Sequence, residues 1–375
     1  VRVLVAPDAF SGTLTAPQAA EAIAEGWRRT APDDEITVAP MADGGPGFVE
    51  VLHAALGGRL HAVTVRGPVG EPLPVSLLVD GSTAYVESAQ ACGLHVVEPA
   101  RRSPWTATSF GVGEAVAAAV DAGARRIVVG LGGSATNDGG AGLLAALGAT
   151  ADGPLDRGPA GLEQVSAVDV MAARERLSGV ELVVAADVET RLLGMFGASK
   201  MFGAQMGFSE EDILRVDRVL DGFVVAVCGR TPSERRLADS PSAGAAGGLG
   251  FALLLLGGSV TTGLGVVADA TGLRALARSH DLVLTGEGAF DYASRAGKVV
   301  YGVATIAAEA ARPCVVLAGT VDVGAREMRA LGVESAYGLT DRLAVEEAMH
   351  APARHLADLA ARVARTWSTS AGAGR

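Results

Sequence analysis

A chain of 375 residues is long enough to bury two cores, so two domains are expected. With 49% hydrophobic but only 4% aromatic residues the cores must be aliphatic, which favours parallel strands covered by Ala/Leu-rich helices and places the chain in the α/β class. A formal charge of -11 excludes a broad phosphate-neutralising face, and with it a nucleic-acid or membrane-surface partner, while leaving room for a small anion bound locally.

Residues 3–6 read as a strand and 15–29 as an amphipathic helix, opened by Thr15, Ala16 and Pro17 as cap and first turn. The turn between them puts Asp8 and Ser11 at the carboxyl end of a strand, the edge where ligands collect in open α/β sheets. Residues 36–39 read as the next strand. Asp43, in the Gly/Pro-rich turn that follows, either coordinates a metal or caps the helix running to about residue 56. From residue 60 the texture changes to alternating segments at 61–65, 75–79 and 83–87 separated by Gly/Pro turns, a strand meander that opens a different subdomain. A helix over about 112–122 follows.

The stretch 130–148, GLGGSATNDGGAGLLAALG, is the centre of the chain's chemistry. It leaves a β-branched run at 126–129 and enters a helix at about 143–147, and a strand, a glycine loop and a helix start together make an anion site. Glycines allow close backbone approach and positive φ, and the helix start offers unpaired N–H groups. Ser134, Thr136, Asn137 and Asp138 add side chains that hydrogen-bond phosphate or hold a hydrated cation; the alternative is a tight turn capped by Asn137 or Asp138.

Residues 150–178 carry no clear pattern. A strand at 181–186 ends at Asp187, and the glycine-containing loop after it carries Lys200. Only two of the 31 basic residues are lysines, Lys200 and Lys298, and both fall in Gly-rich stretches, which either marks them as sites where a compact ammonium is wanted or is chance. Residues 209–227 read as a helix, and 244–258 as a small-residue helix and loop whose composition reflects close packing. A last cassette begins with a strand at 281–284 and a turn bearing Glu287 and Asp291, after which Gly297 and Lys298 open a helix to about residue 311. Strands at 313–318 and 334–337 and a final helix over 345–367 complete a strand–helix alternation matching that of the first sixty residues. Both ends are therefore expected in one domain, 1–64 plus 275–375, with 65–274 inserted.

Acids at strand ends, two lysines and several glycine loops are the ingredients of phosphoryl transfer, which needs amides and a cation around the phosphates, Mg2+ held by carboxylates, and a base at the acceptor hydroxyl. The chain has no P-loop: Val299 follows Gly297 and Lys298, and Tyr292 stands where the first glycine belongs. A dinucleotide-like GxGxxA at Gly130, Gly132 and Ala135 recurs at Gly263, Gly265 and Ala268, so it discriminates little, and no clear second strand ends in an acid about twenty residues on. No serine sits in a GxSxG elbow. The histidines have no zinc-ligand spacing, and Cys92, Cys228 and Cys314 form no CxxC pair, so reduced thiols in a cytoplasmic protein are expected. No signal peptide is read, and no apolar run is long enough for a bilayer. The residues alone favour a phosphate-handling kinase over a dehydrogenase.

The segments VLVAPDAFSGTL, PMADGGPG, VGLGGSATNDGGAGLLAALG, GAAGGLGFALL and LTGEGAFDYASRAGKVVYGVA, in that order, resemble the bacterial type I glycerate kinase family over essentially the whole chain. The resemblance implies two α/β domains: one flavodoxin- or Rossmann-like with a parallel sheet built from both chain ends, and a mixed-sheet domain inserted into it. It implies ATP with Mg2+ and transfer of the γ-phosphoryl to D-glycerate, giving 2-phosphoglycerate; the chain itself is expected as a monomer or homodimer. The family often has lysine where Ser11 and Met206 stand, glutamate where Pro46 stands, and glutamine where Ala293 stands; its DVTNPL segment here reads Asp187 to Leu192. Lys200 is placed to compensate for Met206. On this basis Asp187 is the expected general base, with Asp291 and Asp43 as Mg2+ ligands or alternative bases. Lys298, Lys200, the Gly132, Gly133 and Ser134 amides, Asn137, Asp138, and the Gly286, Glu287 and Gly288 turn are expected around the nucleotide. Asp8, Ser11, Arg66 and Arg102 are expected at the substrate, Arg66 or Arg102 pairing with its carboxylate, with plain surface charge as the alternative for either arginine. The competing readings are a kinase for another small hydroxy acid and a non-catalytic homologue that binds nucleotide or sugar acid.

Overall fold

The computed structural model describes residues 1–10, 12–292 and 299–368. The chain forms two compact units, one of Val1–Asp43, Glu50–Leu56 and Leu264–Arg375, the other of Gly44–Val49 and Gly57–Gly263. In chain order the strands of the two large sheets are β1 (Arg2–Val5), β2 (Glu35–Val38), β3 (Arg59–Arg66), β4 (Pro72–Asp80), β5 (Thr83–Glu87), β6 (Arg126–Gly130), β7 (Glu181–Ala185), β8 (Ser259–Thr261), β9 (Leu282–Thr285), β10 (Cys314–Ala318) and β11 (Ser335–Gly338). The helices that frame them include α1 (Ala16–Thr30), α2 (Phe110–Asp121), α3 (Ala141–Ala146), α4 (Ala198–Met206), α5 (Glu210–Cys228), α6 (Ala245–Leu255) and α7 (Pro352–Trp367).

The first unit is built on a five-stranded sheet ordered β2-β1-β9-β10-β11, every ladder parallel. Counted within this unit the order is 2-1-3-4-5, the flavodoxin-like winding. Its central strands are near-continuous apolar runs because both faces are covered: Val3, Leu4, Val5, Val315, Val316 and Leu317 are all fully buried. The parallel sheet is thus formed by both chain ends, with Val3 opposite Leu282 and Val5 opposite Leu284. Helix α1 starts in a capping box between Thr15 and Gln18 and buries Trp27, whose indole N–H donates to Asp34 Oδ2 at 2.9 Å. The single helix expected over 345–367 is two, Val345–His350 and α7, divided at Ala351 (φ -140, ψ 60). Pro352 is the cause, since it brings no N–H and pushes the residue before it out of the helical region.

The second unit carries a six-stranded mixed sheet ordered β8-β7-β6-β5-β4-β3. The strands from β5 to β8 pair in parallel, whereas β3, β4 and β5 form the antiparallel meander read in the sequence. β6 runs through the core with Ile127, Val128 and Val129 buried, and α2 packs on α3 beside it. Three segments differ from their sequence readings. Residues 150–178 contain a short antiparallel pair, Thr150–Ala151 with Val168–Asp169, whose strands are too brief to leave a period. The stretch carrying Lys200 and Met206, read as a loop, is helix α4. The small-residue helix near 244 begins with three residues in the left-handed region, Ala246, Gly247 and Gly248. Cys92, Cys228 and Cys314 are free thiols, and among the described residues no helix is long and apolar enough to cross a membrane.

Candidate active site

In the second unit Gly130, the last residue of β6, lies in register with Ala185 at the end of β7 and Glu87 at the end of β5. The glycine loop after β6 and Asp187 after β7 therefore leave the same edge of one sheet on neighbouring strands. The Leu131 N–H donates to the Ala185 carbonyl at 2.9 Å and fixes the start of the loop against β7. Gly132 passes so close to the turn at Gly45 that a Cβ would stand 2.8 Å from its Cα, and Gly133 holds φ +62 in an exposed position. Both requirements strip side chains from the loop crest and leave backbone for a ligand to approach. Asp187 is half-buried two residues beyond β7.

The polar residues of this loop face inward. Ser134 Oγ accepts from the Thr136 N–H at 3.0 Å and lies 3.8 Å from Cys92 Sγ. Burial pushes the Cys92 thiol up to about 12, which makes it a protonated filler and no nucleophile. Asp138 is fully buried and accepts four bonds: Oδ2 from the Ser109 N–H (2.8 Å), the Ser109 hydroxyl (2.9 Å) and the Gly142 N–H (3.2 Å), and Oδ1 from the Gly140 N–H (3.0 Å). Burial raises its pKa, and the four donors pull against that rise. The Asn137 Nδ2 donates to Ser199 Oγ at 2.9 Å, tying the loop to the first turn of α4, and its Oδ1 is buried with no partner among the described residues. Asn137 and Asp138 thus build the frame of the loop, and Gly133 is its exposed point. Lys200, next to Ser199 on α4, is exposed.

The two arginines expected at a substrate carboxylate have other partners. Arg66 ends β3 with Nη1 2.8 Å from Asp156 Oδ2 and its guanidinium 3.7 Å from the Phe110 ring centre. Arg102 is exposed and donates from Nη2 to the Leu94 carbonyl at 3.1 Å.

The first unit has its own loop cluster where the winding of its sheet reverses, between β1 and β9. The Asp8 N–H donates to the Gly286 carbonyl at 2.8 Å, and the Thr285 hydroxyl donates to the Ala6 carbonyl at 2.9 Å, so the loops after these two strands run side by side. Asp8 is half-buried and its Oδ1 accepts from the Ala9 N–H at 2.7 Å. Glu287 is buried, Gly288 pairs through its carbonyl with the Thr320 N–H at 3.0 Å, and Asp291 is half-buried just beyond. Asp43, also half-buried, closes the first segment of this unit after Met41, whose N–H donates to the Pro7 carbonyl at 2.9 Å. Ser11 and Lys298 lie outside the described residues.

Among the described residues no three His, Cys, Asp or Glu side chains converge on a metal position. Mg2+ requires less, since one or two carboxylates together with phosphate oxygens and water complete its octahedron. Half-buried Asp43 and Asp291 in the first unit, and half-buried Asp187 in the second, are each of that donor class, and within the second unit the side-chain-free crest at Gly132 and Gly133 leaves backbone open to an anion. Two side chains of this site escaped the sequence reading: Ser109, which cradles Asp138, and Ser199, which receives Asn137. Their partners are 29 and 62 residues away, beyond the reach of any local pattern.

A family model described as "Glycerate kinase family" matches residues 3–368. A glycerate kinase of Bacillus subtilis (strain 168) is 36% identical over 378 residues, covering 99% of this chain and 97% of its own length. The glycerate 2-kinase of Escherichia coli (strain K12) is 39% identical over 333 residues, covering 86% and 87% of the two chains. A crystal structure of a Salmonella typhimurium LT2 protein assigned as glycerate kinase 2 superimposes with a TM-score of 0.77 at 36% identity, covering 98% of both chains.

Proposed function

The chain belongs to the glycerate kinase family, and on that premise we propose that it transfers the γ-phosphoryl group of ATP to the 2-hydroxyl of D-glycerate, giving ADP and 2-phosphoglycerate. As the family implies, it is a kinase that phosphorylates glycerate; the donor and the position of the product phosphate are the proposed part. The observation that supports the proposal is the common exit of the glycine loop and Asp187 from β6 and β7, which brings glycine-rich backbone and a carboxylate to one sheet edge. The Gly132, Gly133 and Ser134 amides take the nucleotide phosphates, and Asp187 accepts the hydroxyl proton as the glycerate oxygen bonds to phosphorus and the ADP oxygen leaves. Asp43 and Asp291 would hold Mg2+, which neutralises charge on the phosphates when bound. The turn at Gly286, Glu287 and Gly288 with Lys298 serves the nucleotide, and Asp8 with Ser11 the substrate. Arg66 and Arg102 contribute to carboxylate recognition only if their present partners release them.

The test is ADP formation from ATP, Mg2+ and D-glycerate with the product resolved as 2- or 3-phosphoglycerate. Glycerate-dependent turnover yielding the 2-phosphate is expected; turnover only with another hydroxy acid would replace the acceptor and keep the kinase. Asp187→Asn is expected to lower kcat by roughly 10²–10⁴-fold in a folded protein. Near-normal turnover would move the base elsewhere. Lys200→Ala is expected to raise the Michaelis constant for ATP severalfold, and an unchanged constant would remove Lys200 from the nucleotide site.

A further inference from the structure

Among the described residues outside glycine only Ser242, Ala246 and Ala311 hold a positive φ. Two of the three fall within five positions of one another, at Ser242 (φ 65) and Ala246 (φ 50), in a segment of the second unit that the phosphoryl-transfer reading leaves without a task. Non-glycine residues persist in the left-handed region only where surrounding contacts over-determine the backbone. Those contacts run to two places. On one side the Ser242 hydroxyl donates to the Val188 carbonyl at 2.8 Å and the Gly244 N–H donates to the Thr190 carbonyl at 2.9 Å, gripping the loop that starts at Asp187. On the other side the Gly139 N–H donates to the Gly247 carbonyl at 3.0 Å, and Gly247 lies so close to the glycine loop that a Cβ there would stand 1.8 Å from the Thr136 carbonyl oxygen.

We propose that residues 242–248 are a clamp that sets Asp187 against the glycine loop, with Ser242 and Ala246 as its positioning residues. Neither side chain touches the reacting atoms. Ser242 acts through the Val188 carbonyl, one residue from Asp187, and Ala246 holds the left-handed turn that carries Gly247 onto Thr136. The strain is kept because a relaxed turn would reach one loop and miss the other. The proposal rests on Asp187 being the general base and on the glycine loop binding phosphate.

Ser242→Ala removes the hydroxyl donor and leaves the backbone path available. At saturating ATP and D-glycerate its kcat is expected to fall about tenfold or more, while the ATP dissociation constant measured calorimetrically without glycerate stays within about twofold of the parent value. A loss routed through Asp187 does not add to the loss of Asp187 itself, so Ser242→Ala combined with Asp187→Asn should turn over no more slowly than Asp187→Asn alone. An unchanged kcat in Ser242→Ala, a fall in ATP affinity that accounts for the lost rate, or losses that multiply in the double variant would each overturn the clamp. Hydrogen–deuterium exchange reads the same idea without turnover: in Ser242→Ala the amides of 188–192 and of 136–140 should both exchange faster. Acceleration confined to one loop sinks the proposal even in an active enzyme. Coupled acceleration in a protein that does not phosphorylate glycerate keeps the clamp and discards the assigned reaction. Should Ser242→Ala not fold, Ser242→Cys, close in size and a weak donor, carries the same comparisons.

Discussion

Asp138 is the residue on which the glycine loop depends for its shape. A buried carboxylate that accepts from Ser109 twice, from Gly140 and from Gly142 satisfies the backbone N–H groups of all three residues, including those opening α3. In Asp138→Asn the amide must set its own N–H groups against one of these donors, so a buried donor loses its acceptor. The expected cost is about 3 kcal/mol, read as a lower urea midpoint at unchanged slope. Ser109→Ala leaves the carboxylate satisfied by three donors but also takes the acceptor from the Leu143 N–H, which the Ser109 hydroxyl oxygen receives at 3.1 Å, and should cost about 2 kcal/mol. Equal stability of Asp138→Asn and the parent would mean that the carboxyl is already protonated, the state its burial favours. The sequence marked this position through residue type and loop context, in a segment read as either a phosphate and cation site or a capped turn. One sequence does not say which way a side chain turns, and here Ser109, 29 residues upstream, draws it inward.

At the scale of elements, the legible parts were those that carry their own physics. Helix α1 was readable because Thr15, Pro17 and an apolar face agree, and the central strands because burial on both faces leaves unbroken aliphatic runs. The edge strand β8, three residues long and paired only with β7, leaves no such trace, and the left-handed start of α6 arises from contacts with loops more than fifty residues away. Gly26 separates local from tertiary cause. It sits inside α1 at ordinary helical geometry, where propensity alone makes Gly26→Ala stabilising by about 1 kcal/mol. A Cβ there, however, would stand 1.9 Å from the Ala357 carbonyl oxygen of α7, a backbone atom with no rotamer to yield. The helices must separate, and α1 with α7 is the most extensive helix contact of the first unit. Gly26→Ala is therefore expected to destabilise by about 2 kcal/mol net, seen as a lower thermal midpoint. A raised midpoint would show that α7 is free to shift.

For the whole molecule, the two chain ends become one sheet where β1 meets β9, and an ion pair stands at the entrance of that ladder. Arg2 donates from its backbone N–H to Asp281 Oδ2 and from Nη2 to Asp281 Oδ1, both at 2.9 Å, while the Asp281 N–H donates to the Arg2 carbonyl at 2.8 Å. The Arg2 side chain first, then its backbone N–H, holds the Asp281 carboxyl down to about 2. In the unfolded chain the same group titrates near its ordinary value of about 3.9. A depressed folded value means that the unfolded state takes up the proton first as acid is added, so this contribution is full above about pH 4 and is lost as pH falls towards 2. Asp152, brought down to about 2 by Ser166 and Ala167, acts in the same sense within the second unit. Asp138 acts in the opposite sense, since its raised value adds stability at low pH that is lost as pH rises through it. The Arg2 and Asp281 side chains are exposed, so the effect is small and salt-sensitive. Asp281→Asn should melt below the parent at neutral pH, and the gap should close as the pH approaches roughly 2. Because each unit has its own core, the convergence belongs to the transition of the first unit alone, and a two-step melt should show it in one step. A gap that persists undiminished at the acid end would assign the contribution of Asp281 to the hydrogen bonds its side chain accepts from Arg2, leaving its charge without a share in closing the sheet.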